Sequence, residues 1–264
     1  MSEAQGQSRP FVTEFGTLRA LQFDGLTVQS VMSIADPDVL ALDYTRAMMG
    51  FLLFKPRPRH IVMVGLGGGS LAKYCLRTLP DTRFTAVEIS PEVIALRQRF
   101  GIPPDDERFR VLCADGADYL RDSDDAPDVL LVDGFVATGQ PARLGSADFF
   151  ADCRRALAPD GVLVVNHWAG DGRYPVYAAR LREAFDGRVL AIAAEDGDNR
   201  ISFSAPGPGF PPSRGRILAR CAELAELHSF DVADIAQRVL ARLDRMMGRR
   251  SADAGLDGAG SHSD

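Results

Sequence analysis

The run Val64-Gly65-Leu66-Gly67-Gly68-Gly69-Ser70 joins an apolar stretch to a helical one. Glycines in that place, chiefly Gly65, Gly67 and Gly69, let the main chain pass close to a ligand, and the helix start that follows offers unpaired N–H groups. Ser70 is also a residue type that caps helices. The run is not the dinucleotide fingerprint, because Ser70 stands where the third glycine belongs. It is not a phosphate loop either, because no Gly-Lys-Ser/Thr follows. Glu88 lies 19 residues after Gly69, at the end of a second apolar stretch. A carboxylate there can accept hydrogen bonds from both hydroxyls of a ribose. Asp115-Gly116 ends a third stretch, and that carboxylate can cap a helix, accept from an adenine amino group, or do both. Asp133 ends a fourth, VLLV, and opens a loop holding Gly134, Gly139 and Pro141, a composition typical of active-site loops. His167-Trp168 ends a fifth, where either side chain can face a second substrate or simply pack.

These residues need a frame that brings strand ends together. Apolar runs at His60–Val64, Phe84–Ile89, Phe109–Ala114, Val129–Val132 and Val162–Asn166 read as buried strands. Helical segments at Ser70–Leu79, Pro91–Phe100, Ala147–Leu157 and Tyr174–Phe185 separate most of them. Strands at Arg188–Ala194 and Arg200–Ser204 suggest a hairpin at one edge of the sheet. Helices at Arg214–Leu227 and Val232–Met247 close the chain. The alternation predicts an α/β, doubly wound, mostly parallel Rossmann-like sheet. Ligands then bind outside the carboxyl ends of its strands. Upstream, Asp24-Gly25 between two alternating runs signals a hairpin, and Pro37–Leu53 has helical periodicity. That helix is long enough to supply an interface or to pack on the sheet. The expected organisation is a disordered 1–10, a small β-hairpin/helix element at 11–54, a nucleoside-binding catalytic domain at 55–247, and a flexible tail at 248–264.

Composition narrows the class. The net charge of −6 over 264 residues leaves no general basic field for a phosphate backbone, so nucleic acid is not the expected partner. The four cysteines, at 75, 113, 153 and 221, have no metal-ligand spacing, and no metal is expected. The polar start MSEAQGQSRP has no apolar signal region and no run approaches a membrane span, so a cytoplasmic, non-membrane protein is expected.

The order glycine turn, Glu88, Asp115-Gly116, Asp133 resembles the S-adenosylmethionine-dependent methyltransferase fold. Within it, the chain is similar to the spermidine synthases, the polyamine aminopropyltransferases. Phe23-Asp24-Gly25 with Gln29 resembles the family's N-terminal hairpin, and Tyr44 its following tyrosine. Val87-Glu88-Ile89-Ser90-Pro91-Glu92-Val93-Ile94 and Pro159-Asp160-Gly161-Val162-Leu163 resemble two of its strand segments. The resemblance runs from about residue 18 to 205. It implies transfer of an aminopropyl group from decarboxylated S-adenosylmethionine to an amine, with Asp133 as base. Gln29, Glu88 and Asp115 would hold the nucleoside, and Tyr44, with His167 and Trp168, would line the acceptor side. A homodimer or higher homo-oligomer is implied as well. The family aspartate in the glycine turn is here Gly68. The second loop aspartate and its proline are Val136 and Ala137, and the pair after the tyrosine is Thr45-Arg46. Fewer carboxylates for a diamine imply an acceptor other than putrescine, unless Asp36, Asp38 or Asp43 substitutes. The alternatives are methyl transfer from intact S-adenosylmethionine, and a catalytically silent nucleoside-binding protein.

Overall fold

A computed structural model describes residues 9–23, 27–136, 139–195 and 197–257. The expected Asp24-Gly25 turn, Ala137 of the loop, residues 1–8 of the expected disordered start and residues 258–264 of the expected flexible tail lie outside these. Three antiparallel strands open the chain, β1 (Phe11–Phe15), β2 (Leu18–Phe23) and β3 (Thr27–Ser33), and form the small N-terminal β element as a three-stranded sheet. Next come α1 (Asp43–Met48), a 3-10 turn to Leu53, β4 (His60–Val64) and α2 (Ser70–Thr78). β5 (Arg83–Glu88), α3 (Pro91–Ala95), β6 (Phe109–Cys113), α4 (Gly116–Asp122) and β7 (Val129–Val132) follow. The chain continues with α5 (Ala147–Ala156), β8 (Val162–Trp168), α6 (Tyr174–Ala184), β9 (Val189–Ala193) and β10 (Asn199–Ser204). It closes with α7 (Arg214–Ala225) and α8 (Val232–Asp257).

The main sheet has the order β6-β5-β4-β7-β8-β10-β9. β4 to β8 are parallel, while β10 runs antiparallel between β8 and β9. Both faces are buried, as parallel strands require. Ile61, Met63, Val129 and Leu131 point into one core with helix residues such as Leu52, Leu71 and Val239. Val62, Val64, Leu130 and Val132 point into the other with Leu120, Phe149 and Leu181. Leu21 and Met32 of the N-terminal sheet join the first core.

Three expectations need correction. The helix read over Pro37–Leu53 begins only at Asp43. The Arg46 guanidinium donates to the carbonyls of Leu40 (2.8 Å) and Ala41 (3.3 Å), which amides would take in a longer helix. Residues Ala47–Leu53 are buried, so this segment packs on the sheet. Ser70 does not cap α2. It is the first helical residue, and Gly69, at φ 68°, is the cap with no side-chain bond. The last helix does not stop at Met247 but runs to Asp257, through the helix-favouring Arg249, Arg250, Ala252 and Ala254. No helix among the described residues is long and apolar enough to cross a membrane.

Candidate active site

Strand order reverses between β4 and β7, since β5 and β6 extend to one side and β8 to the other. Ligands of open α/β sheets sit at such a switch point. The register makes the placement concrete. Val64 is level with Val87 on one side and Val132 on the other, and Val132 with Val165. The next residue on each strand is therefore Gly65, Glu88, Asp133 and Asn166, a row across the carboxyl edge. Above it opens a cleft of about 1520 Å³, roofed on one side by Gln29, Ser30 and Tyr44.

Gly65 is required by close approach. A Cβ there would lie 2.3 Å from the Asp133 carbonyl oxygen, and φ is +93°. Gly68 is closed by packing, because a Cβ would meet Ser30 Oγ at 2.6 Å and Phe100 at 3.0 Å. The Ser30 hydroxyl thus stands directly against Gly68. Glu88 is buried, and each of its oxygens accepts one backbone amide, from Leu66 (2.9 Å) and from Ser90 (2.9 Å). The carboxylate is fixed in orientation and keeps a lone pair on each oxygen. Asp115 caps α4, with Oδ1 accepting from Ala117 N (2.7 Å) and Asp118 N (3.2 Å). Its Oδ2 is 2.7 Å from the Arg143 guanidinium. Gly116 packs against Val64, which a Cβ would meet at 2.3 Å. Ile89 and Leu144 line the same end of the cleft and offer apolar sides for a flat base.

Asp133 sits at the opposite end. Its Oδ1 accepts from Asn166 Nδ2 (2.9 Å), and Asn166 Oδ1 in turn accepts from Asn199 Nδ2 (2.9 Å). Burial pushes the Asp133 carboxyl up to about 6, hydrogen bonds from Asn166 and Tyr44 oppose that rise, and the Glu88 charge adds to it. Burial, then the Asp133 charge, then their hydrogen bond raise Tyr44 well above its ordinary value, so it stays a neutral donor. Phe135, Val136, Trp168 and Asp198 complete this half.

Gln29, Tyr44, Gly65, Gly67, Glu88, Asp115, Gly116, Asp133 and Trp168 all line the cleft. Gly69 stands at the turn behind it, against Ile102. His167 does not reach the cleft. Side chains alternate along a strand, so Asn166 and Trp168 face the site while His167 is buried against Tyr174 and bonds Gln140 (3.2 Å). Arg46 also faces away, bound to main-chain carbonyls and to Asp43 (3.4 Å). Asp36 and Asp38 pair with Arg77 and Asp43 pairs with Arg238, and none of the three lines the cleft. Asn166, Asp198, Ser30 and Arg143 were not anticipated. Asn166 ends the same apolar run that placed His167, one residue earlier. No group of three His, Cys, Asp or Glu among the described residues could hold a metal.

The fold is that of the S-adenosylmethionine-dependent methyltransferases. A probable spermidine synthase from Corynebacterium glutamicum superposes with a TM-score of 0.69 at 22% identity, covering 81% of this chain and 83% of that one. A spermidine synthase in complex with the transition-state analogue AdoDATO gives 0.62 at 19%, with 88% and 85% covered. Human methyltransferase-like protein 13 in complex with SAH gives 0.64 at 23%, with 70% and 91%. In sequence, residues 42–169 match the spermine/spermidine synthase domain. A polyamine aminopropyltransferase of Neisseria meningitidis serogroup B is 46% identical over 222 residues, 83% of this chain and 84% of the relative. One of Chromobacterium violaceum is 45% identical over 184 residues, 69% and 70%. The chain belongs to the polyamine aminopropyltransferase family.

Proposed function

We propose that the protein transfers the aminopropyl group of decarboxylated S-adenosylmethionine to a small amine, with Asp133 as the base. The carrying observation is the opposition, within one cleft, of a fixed carboxylate at Glu88 and a titratable one at Asp133. Glu88 accepts from the ribose hydroxyls on its two free lone pairs, and Asp115 Oδ2 accepts from the adenine amino group. Ile89 and Leu144 flank the base. Gln29 and the Ser30 hydroxyl meet the donor's tail where a family aspartate is missing.

An ammonium is not a nucleophile. It gives one proton to Asp133, and the freed lone pair bonds the carbon beside the sulfonium. The carbon–sulfur bond breaks, its electron pair stays on sulfur, and the neutral thioether methylthioadenosine leaves. The other product is a secondary ammonium, and Asp133 returns its proton to solvent. A base titrating near 6 is ionised at neutral pH yet basic enough to share a proton with the substrate. Tyr44 and Asn166 hold its orientation.

Asp133 and Asp198 are the acceptor-side carboxylates, and Val136 leaves the intervening wall apolar. Arg46, pointing away, puts no cation in the amine's path, so monoamines and diamines both belong in an acceptor screen. Membership of the family supports a homodimer or larger homo-oligomer, which sedimentation tests. For the donor, calorimetric titration with decarboxylated and intact S-adenosylmethionine is decisive. The expected result is tighter binding of the decarboxylated form. Preference for the intact one would redirect the reading to methyl transfer. Binding of both without turnover of any amine would leave a silent nucleoside-binding protein.

A further inference from the structure

Two side-chain amides stand behind Asp133, and only the nearer one holds it directly. The strands explain how they meet. Val132 is level with Val165, so Asp133 and Asn166 follow side by side at the carboxyl edge of β7 and β8. β10 runs antiparallel on the other side of β8, pairing Asn199 with Trp168 and Ile201 with Asn166. Asn199 and Asn166 are thus diagonal neighbours on one face of the sheet, within side-chain reach of each other. Asn199 Nδ2 donates to Asn166 Oδ1 (2.9 Å), and Asn166 Nδ2 donates to Asp133 Oδ1 (2.9 Å). The main chain pins the start of β10. The Asn199 carbonyl accepts from Ala194 N (3.0 Å), and the Asp198 carbonyl accepts from Ala169 N (2.7 Å).

A side-chain amide has one accepting end and one donating end, and only the donating end favours a carboxylate. Asn166 is buried, so neither end can turn to solvent. Reversed, it would set its oxygen against the Asp133 oxygen and its NH2 against the Asn199 NH2. The donor on Asn199 therefore decides which way round Asn166 lies. We propose that Asn199 is a positioning residue, which keeps the NH2 of Asn166 turned toward Asp133 and so favours the ionised form of that carboxylate. Its bearing on catalysis rests on Asp133 being the base. The other titratable or charged groups around Asp133 are Tyr44 from α1, Glu88 from β5 and Asp198 ahead of β10, with Asp115 and Arg143 at the far end of the cleft. All of them are kept when only Asn199 is changed. Asn199 also lines the cleft, and direct contact with the amine is the competing role.

The test is an NMR titration of the Asp133 carboxyl carbon in full-length, isotope-labelled protein, its signal assigned by its loss in Asp133→Asn. Asn199→Ala is expected to move the midpoint up by about half a pH unit, the loss of one neutral hydrogen bond acting through Asn166. Asn199→Leu, close to asparagine in size but without a donor, should do the same. Asn166→Ala should move the midpoint at least as far. Asn166→Ala/Asn199→Ala should move it no further than Asn166→Ala alone, because the outer amide acts only through the inner one. The acid limb of kcat/KM should follow the midpoint, lowering kcat/KM about threefold on that limb in Asn199→Ala. A midpoint unmoved in both Asn199 variants would overturn the inference, and a raised KM for the amine beside it would assign Asn199 to substrate contact. Shifts from the two sites that add in the double variant would overturn it as well. A midpoint that moves while the acid limb stays would leave the amide pair standing and sink Asp133 as the base.

Discussion

At Asp133, burial and hydrogen bonding pull in opposite directions. Burial disfavours the carboxylate, and Asn166 and Tyr44 restore part of the loss, leaving the group near pH 6. As pH rises through about 6 the carboxylate forms, so kcat/KM should rise and then level off, falling about tenfold per unit below that range. Removing the amide with Asn166→Ala takes away a bond to the charged form. The acid limb of the profile should then move to higher pH, while a variant that merely loosened the fold would lower the plateau and leave the limb in place. Stability carries the opposite sign. The folded protein holds the Asp133 proton more tightly than the unfolded chain, so ionising it costs stability as pH rises from about 4 to 6. Asp133→Asn, which cuts turnover by a factor of at least about 100, should therefore raise stability at pH 7.5, by on the order of 1–3 kcal/mol. That gain should vanish below pH 4, which thermal melts at the two pH values would show. Much of this site was legible in the sequence, because Glu88, Asp115 and Asp133 each end an apolar run. Asn166 and His167 end the same run, and the run alone does not say which of the two neighbours faces the cleft.

Among the elements, β4 and β7 position the site, and their far ends are fixed by Asp128. This buried carboxylate accepts from the amides of Arg59 (2.6 Å) and His60 (3.2 Å) and pairs with Lys55 (3.0 Å). Burial alone would raise it, but the Lys55 ammonium and the two amides outweigh that and leave it lowered. A lowered carboxyl contributes stability above its unfolded value near 4, and the contribution is lost as pH falls below that. Asp128→Asn should cost about 2–4 kcal/mol at pH 7, and the deficit should narrow in urea melts at pH 3. The parallel strands could be read because, buried on both faces, they are apolar throughout. The Pro37–Leu53 segment misled because its periodicity is real only from Asp43. The residues before it bury Leu40 and give their carbonyls to Arg46, a side-chain contact that no spacing reveals.

For the whole molecule, the alternation of strands and helices implied a doubly wound sheet but not its order. That β10 lies between β8 and β9 depends on antiparallel pairing of segments nearly adjacent in sequence, and several edge arrangements share the same pattern. The position of the cleft did follow, because a reversal of strand order must open one. Glu88 and Asp115 line one half of it and Asp133 the other, and the proposed reaction uses the first for the nucleoside and the second for the amine. The direct measurement is release of methylthioadenosine from decarboxylated S-adenosylmethionine in the presence of a panel of mono- and diamines, for wild type and Asp133→Asn. The expected result is release that depends on an amine in wild type and falls by a factor of at least about 100 in Asp133→Asn, with donor affinity kept within a few-fold. Amine-dependent release of equal rate in the two proteins would contradict the role of Asp133, and no release with any amine would contradict aminopropyl transfer itself.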